Sequence, residues 1–210
     1  MLASVITELE DHPHDTELSR DGTVFQELQC AATYGPDVPN DIRTLAKTAV
    51  YDDDALDKLQ AALLEWQGPA AVAQLSTTQA VDLISGGVKV NALPEKATAI
   101  VNHRIAEHSS VHELQERTVK VLKPVAQRFN LTLDAFGKNV TTGSGGRLAL
   151  SDAFGTALEP APVTPTGHSP PYALLAGTIV GALHRKYGHD GPKVVVQPAL
   201  ALGGPLRFFL

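Results

Sequence analysis

The stretch Leu75–Ile105, LSTTQAVDLISGGVKVNALPEKATAIVNHRI, decides how this chain is read. Gln79 to Ile84 is a β-rich run that leads to Gly86-Gly87, where a bend or a close backbone approach meets no Cβ. Leu93-Pro94 marks an extended segment, and Ala97 to Ile105 forms a second β-rich run. Alternation places Ala97, Ala99, Val101, His103 and Ile105 on one face, with Thr98, Ile100, Asn102 and Arg104 on the other. The pattern predicts strand, turn, extended segment, strand. Asn91 stands just before Leu93-Pro94 and Arg104 near the end of the second strand. An amide and a guanidinium on neighbouring extended segments can converge on a carboxylate, because the Arg fork matches its two oxygens. An Arg capping a sheet edge and an Asn turning a loop fit the same spacing.

Working outward, Met1 to Glu10 carries Leu2, Val5, Ile6 and Leu9 at helical spacing. His12-Pro13-His14-Asp15 follows and reads as a solvated loop rather than as metal ligands. Val24–Tyr34 and Asp41–Ala49 predict short helices around the turn-rich GPDVPN. Asp54–Trp66 predicts a longer one with Leu56, Leu59, Leu63 and Trp66 along one stripe. Asp52-Asp53-Asp54 complements the dipole of that helix more simply than it makes a cation site, and Gln67-Gly68-Pro69 ends it. Beyond the strand pair, Ser110 and Glu113 form a capping box for a helix from Val111 to about Phe129, which Pro124 should kink or end. Leu131–Phe136 reads as a returning edge strand. Lys138–Gly146 (KNVTTGSGG) is a composition break and predicts a linker. After it come a strand at Arg147–Leu150, a Pro-rich segment, a helix from Pro171 to about Tyr187, and a buried strand at Lys193–Gln197.

Composition narrows the function classes. The 210 residues can hold one large domain or two small ones, and the net charge of -6 argues against nucleic acid, which wants basic patches. No apolar run is long enough to span a bilayer. A lone Cys30 permits no internal disulfide and reads as a small buried hydrophobe. The N-terminus lacks the basic and apolar regions of a signal peptide. Asn130-Leu-Thr and Asn139-Val-Thr match the glycosylation acceptor pattern.

GGVKVNALPEKATAIVNHRI resembles the lid signature of the zinc aminoacylase/carboxypeptidase metallopeptidases, and within them the vacuolar Gly-Xaa carboxypeptidases of the carboxypeptidase S type. The resemblance covers most of the chain, including the helical insertion, the pattern Glu159–Thr166 (EPAPVTPT) and the VVVQP run. It implies an α+β fold: a ferredoxin-like lid, or dimerisation domain, over residues 1–138 with a helical insertion at about 11–72. Residues 139–210 would be a C-terminal piece of an α/β zinc-peptidase catalytic domain. It also implies that Asn91 and Arg104 hold a substrate carboxylate, that Arg207 matches a second carboxylate-binding Arg, and that two zinc ions serve the full-length family. The implied partners are a short peptide or N-acyl amino acid with a free carboxylate and a second copy of the chain, with no nucleic acid or membrane. Relatives are vacuolar or secretory.

A two-zinc hydrolase needs about five N/O ligands and a carboxylate base. The resemblance assigns most of them to a segment that precedes the lid, together with a Gly-Gly-His-Ser-Ser strand. The expectation is therefore a truncated form, without catalytic or metal-ligating residues of its own, that does not catalyse the parent reaction. That parent reaction is release of a C-terminal residue or deacylation of an N-acyl amino acid. Two alternatives stand beside it: a non-catalytic dimerisation or carboxylate/peptide-binding module, and an incomplete gene model. Other chemistries lack their signatures: no Gly-x-Ser-x-Gly elbow is present, and Gly143-Ser-Gly-Gly lacks the Lys-Ser/Thr of a phosphate loop. His168 reads as a turn residue.

Overall fold

The computed structural model describes residues 1–155, 157–163, 165–166, 169–189, 191 and 193–200. Arg207, His168 and the last ten residues lie outside the described residues. The elements are α1 (Leu2–Asp11), α2 (Thr23–Tyr34), α3 (Asn40–Thr48), α4 (Asp53–Gln67), α5 (Pro69–Leu75), β1 (Thr78–Gly86), β2 (Ala97–Arg104), α6 (Val111–Arg128), β3 (Thr132–Ala135), β4 (Lys138–Thr141), β5 (Arg147–Leu150) and α7 (Pro170–Tyr187). The fold class is α+β. The chain divides into two compact units: residues 1–16 with 76–161, and residues 17–75 with those from Pro162 on.

In the first unit, β1 and β2 form an antiparallel two-stranded ladder with a register shift between Val81 and Leu83. Val5 and Leu9, one helical turn apart on α1, bury against Leu122 and Val125 of α6, and Val101 of β2 packs onto the same cluster. α6 starts with half of the predicted capping box: the Ser110 hydroxyl accepts from Glu113 N at 3.2 Å. The Glu113 carboxylate instead accepts from the Ser109 hydroxyl, and the carboxylate of Glu159 takes Val111 N at 3.0 Å. The helix carries through Pro124 to Arg128 rather than ending there.

The same unit holds a three-stranded sheet in the order β4-β3-β5, with β3 antiparallel to β4 and parallel to β5. β3, expected at an edge, is the central strand, and Leu131, Leu133, Ala135 and Ala126 make a second small core around it. The expected linker at Lys138–Gly146 is instead β4 followed by a packed glycine turn. The reversal is a two-residue turn in which Phe136 (φ 49°) and Gly137 (φ 83°) both take positive φ, as a type I′ hairpin turn requires. Gly145 N then donates to Asn130 O at 2.7 Å, and Gly143 sits so close to the Asn130 backbone that a Cβ would collide with it.

The second unit buries an apolar core of Phe25, Leu28, Ile42, Ala46, Leu59, Leu63, Ala71 and Leu75, drawn from α2 to α5. Each large aliphatic there contributes about 1.5–3 kcal/mol by leaving water. Asp52 caps α4 by accepting from Ala55 N at 3.2 Å, and Arg20 joins Ala49 O at 2.6 Å to the Asp53 carboxylate at 2.7 Å. Arg43 from α3 donates to the carbonyls of Val38, Ala32, Gly35 and Pro36, fixing the turn after α2. α5 was not expected: Gly68 breaks α4 at φ 55°, and Pro69 then opens a new helix at its first position. The strand expected at Lys193–Gln197 joins no ladder among the described residues, and Val196 O accepts from the Tyr172 hydroxyl at 2.7 Å. α7 buries none of its residues.

Candidate functional site

The β1–β2 hairpin carries two of the three residues expected to bind a carboxylate. Its ladder pairs Gly86 with Ala97 at the loop end and Thr78 with Arg104 at the other. Gly86 lets the strands close: a Cβ there would lie 3.1 Å from the Ala97 Cβ. Gly87 follows at φ 80°, a conformation that favours glycine. Next to the turn the hydroxyls of Ser85 and Thr98 hydrogen-bond across the ladder at 2.6 Å.

Asn91 lies exposed in the loop, and Arg104 is exposed at the far end of β2. The eight residues of β2 span about 23 Å at roughly 3.3 Å per residue. The structure thus places Asn91 and Arg104 at opposite ends of one ladder and does not bring them together within the chain. Arg207 lies outside the described residues. The loop is apolar as well as exposed: Val88, Val90 and Leu93 are 98%, 109% and 94% exposed, and Leu83 and Ile84 of β1 also face solvent.

A second constellation sits at the other end of the ladder, where sequence reading saw only a solvated loop. His14 packs edge-to-face against His103 of β2, with ring centroids 5.7 Å apart. His103 Nε2 meets Gln79 Oε1 at 3.2 Å, and Gln79 Nε2 donates to Leu9 O at 3.1 Å, tying β1, β2 and α1 together. Arg117 of α6 donates through Nη2 to the carbonyls of His12 and Pro13 at 2.9 and 2.6 Å. Burial, reinforced by the Arg117 guanidinium and by His103, holds His14 down at about 4, with Asp15 opposing. Burial and Arg117 also lower His103. Both rings are therefore neutral near pH 7 and act as packing groups and hydrogen-bond partners. The signal available in the sequence was the alternation that put His103 on the same face as Val101, which packs onto the α1–α6 cluster; nothing local revealed that His14 would meet it.

Among the described residues no three His, Cys, Asp or Glu side chains converge as metal ligands. The His14–His103 pair lies beside a guanidinium, which opposes a cation. The described residues do not fit a two-zinc centre.

Comparison with known proteins follows the same lines. The family model described as the peptidase dimerisation domain matches residues 1–130. Carboxypeptidase S of Saccharomyces cerevisiae is 34% identical over 177 residues, covering 84% of this chain and 30% of that protein. An uncharacterized carboxypeptidase of Schizosaccharomyces pombe is 29% identical over 183 residues, covering 85% of this chain and 29% of that protein. The chain thus spans about 30% of the length of the curated relatives it matches. No solved structure matches it. With the match over residues 1–130 and the carboxypeptidase relatives in agreement, the chain belongs to the metallopeptidase family that carries the peptidase dimerisation domain.

Proposed function

We propose that this chain supplies the self-association surface and the carboxylate-gripping element of a metallo-carboxypeptidase. That enzyme releases C-terminal residues from short peptides of the Gly-Xaa kind or deacylates N-acyl amino acids. The observation that carries the reading is the exposed apolar tip of the β1–β2 hairpin, Val88, Val90 and Leu93, inside the segment matched as a dimerisation domain. In this reading residues 1–138 are a ferredoxin-like lid interrupted by the helical insertion at about 11–72. Residues 139–210 belong with the catalytic side, although β4 and β5 here stay paired with β3. The zinc ions and their ligands come from the remainder of the parent enzyme.

Asn91 and Arg104, with Arg207 as a third contact, grip the substrate carboxylate. Because one ladder separates Asn91 from Arg104, the grip combines Arg104 of one protomer with Asn91 of the other. Charge-assisted hydrogen bonds of this kind contribute about 1.5–3 kcal/mol each.

Sedimentation equilibrium tests the association. The wild-type chain should form a dimer, and the triple substitution Val88→Ser, Val90→Ser, Leu93→Ser should leave a monomer of unchanged helix content. A monomeric wild type, or a dimer indifferent to the tip, would overturn the reading. NMR titration with Gly-Leu then tests the grip: Asn91→Ala and Arg104→Gln should each weaken binding about tenfold or more. Mixing the two variants should recover part of the binding, since a mixed dimer keeps one intact pair; no recovery rules out a shared site.

A further inference from the structure

The chain leaves the first compact unit through the connector between α1 and α2, with the boundary after Thr16. It returns at Ser76, where α5 runs almost directly into β1 and the buried Thr77 hydroxyl accepts from Ala106 N at 3.0 Å. The returning passage is part of the fold. The outgoing one has no regular structure over residues 13–19. Side chains of the first unit hold its start. Arg117 Nη2 donates to both His12 O and Pro13 O, so one nitrogen of α6 clamps two successive carbonyls. His14 then sets its half-buried ring edge-to-face on His103 of β2.

The two rings differ in what a proton would meet. Gln79 Nε2 is committed to Leu9 O, so Gln79 Oε1 faces His103 and accepts from its Nε2. A further proton on His103 is favoured by the Val101 carbonyl. Around His14, the Arg117 guanidinium of α6 and His103 of β2 both oppose a charge, and Asp15 of its own segment favours one. The nearby charged pair on α1, Glu8 with His12, is engaged with itself. Burial adds to the opposition, so a cationic His14 is better solvated off the ladder than on it.

We propose that His14 is an acid-released latch on this connector. Neutral, it closes residues 12–16 onto the end of the β1–β2 ladder. Protonated, it moves out to water and takes the connector with it, while each unit keeps its fold, which turns a fixed passage into a hinge. The closed form binds fewer protons than the open one between the ordinary histidine value of 6.5 and about 4, where His14 is held. Closure therefore weakens by up to about tenfold for each unit of falling pH, or roughly 300-fold across that window.

NMR of the isotope-labelled chain tests the latch through the backbone heteronuclear NOE at pH 7 and pH 4. At pH 7 residues 12 and 14–16 should be as ordered as α6. At pH 4 their order should drop while α6 and the α3–α4 core hold theirs. His14→Phe keeps an aromatic ring against His103 but takes no charge, so its connector should stay ordered at pH 4. Arg117→Gln should loosen the connector already at pH 7 and raise the His14 ring midpoint toward its ordinary value. A wild-type connector still ordered at pH 4 overturns the proposal. So does one that loosens equally in His14→Phe, or only together with α6. If His14→Phe does not fold, Arg117→Gln decides: an unmoved His14 midpoint with an ordered connector overturns the latch.

Discussion

The helical core of the second unit and the tip of the β1–β2 hairpin are both rich in aliphatic residues, yet they end in opposite environments. Ile42, Leu59 and Leu63 are essentially removed from water, with Leu59 at 0% exposure. Val88, Val90 and Leu93 are almost wholly in it. The helices find their partners a few residues away: α3 packs on α4, with α2 and α5 closing the same core. Among the described residues the loop of the hairpin is left exposed at Val88, Val90 and Leu93. Equal hydrophobicity thus means fold stability in one place and an available surface in the other.

Substitutions should separate the two roles. Leu59→Ala, which removes a fully buried side chain, should cost about 2–5 kcal/mol of stability, whereas Val90→Ser should stay within about 0.5 kcal/mol. Chemical denaturation of both variants at a concentration where the chain is monomeric measures this. Comparable losses at the two positions would break the comparison, since the tip would then be part of a core.

A smaller effect concerns the other end of the ladder. His14 and His103 are held below their ordinary range, so in the unfolded chain they take up protons first as pH falls. Stability tied to the neutral pair is fully present above about pH 6.5 and is lost as pH drops toward about 4, the folded value of His14. Denaturation midpoints between pH 7 and pH 4 should decline, and His14→Gln should flatten the decline. An unchanged slope in that variant would show that the His14–His103 packing contributes nothing.

Much of this architecture was legible in the sequence. The stripe of Leu56, Leu59 and Leu63 placed α4, Ser110 placed the start of α6, and the alternation of Ala97 to Ile105 placed β2 with His103 and Arg104 on opposite faces. The failures share a cause, which is that the deciding partner lay outside the local window. β4 looked like a linker because its turn uses Phe136-Gly137 where the familiar signal is Asn-Gly, and its Asn and Thr residues are poor strand cues. β3 looked like an edge because β5 returns to it only after the glycine turn. α5 was hidden behind Gly68-Pro69, read as a stop when Pro69 was also a start. The valine run at 194–196 has high strand propensity but no strand beside it among the described residues. For the candidate site, it was the family resemblance rather than spacing that singled out Asn91 and Arg104, and spacing along a chain does not reveal that a ladder holds two residues apart.

The most direct measurement of the central claim is amide hydrogen exchange followed across a hundredfold range of protein concentration. If the hairpin tip is the self-association surface, exchange should slow with rising concentration at residues 83–93, while the α3–α4 core stays equally protected throughout. Exchange at the tip that remains fast at every concentration, with any slowing confined elsewhere, would contradict the account.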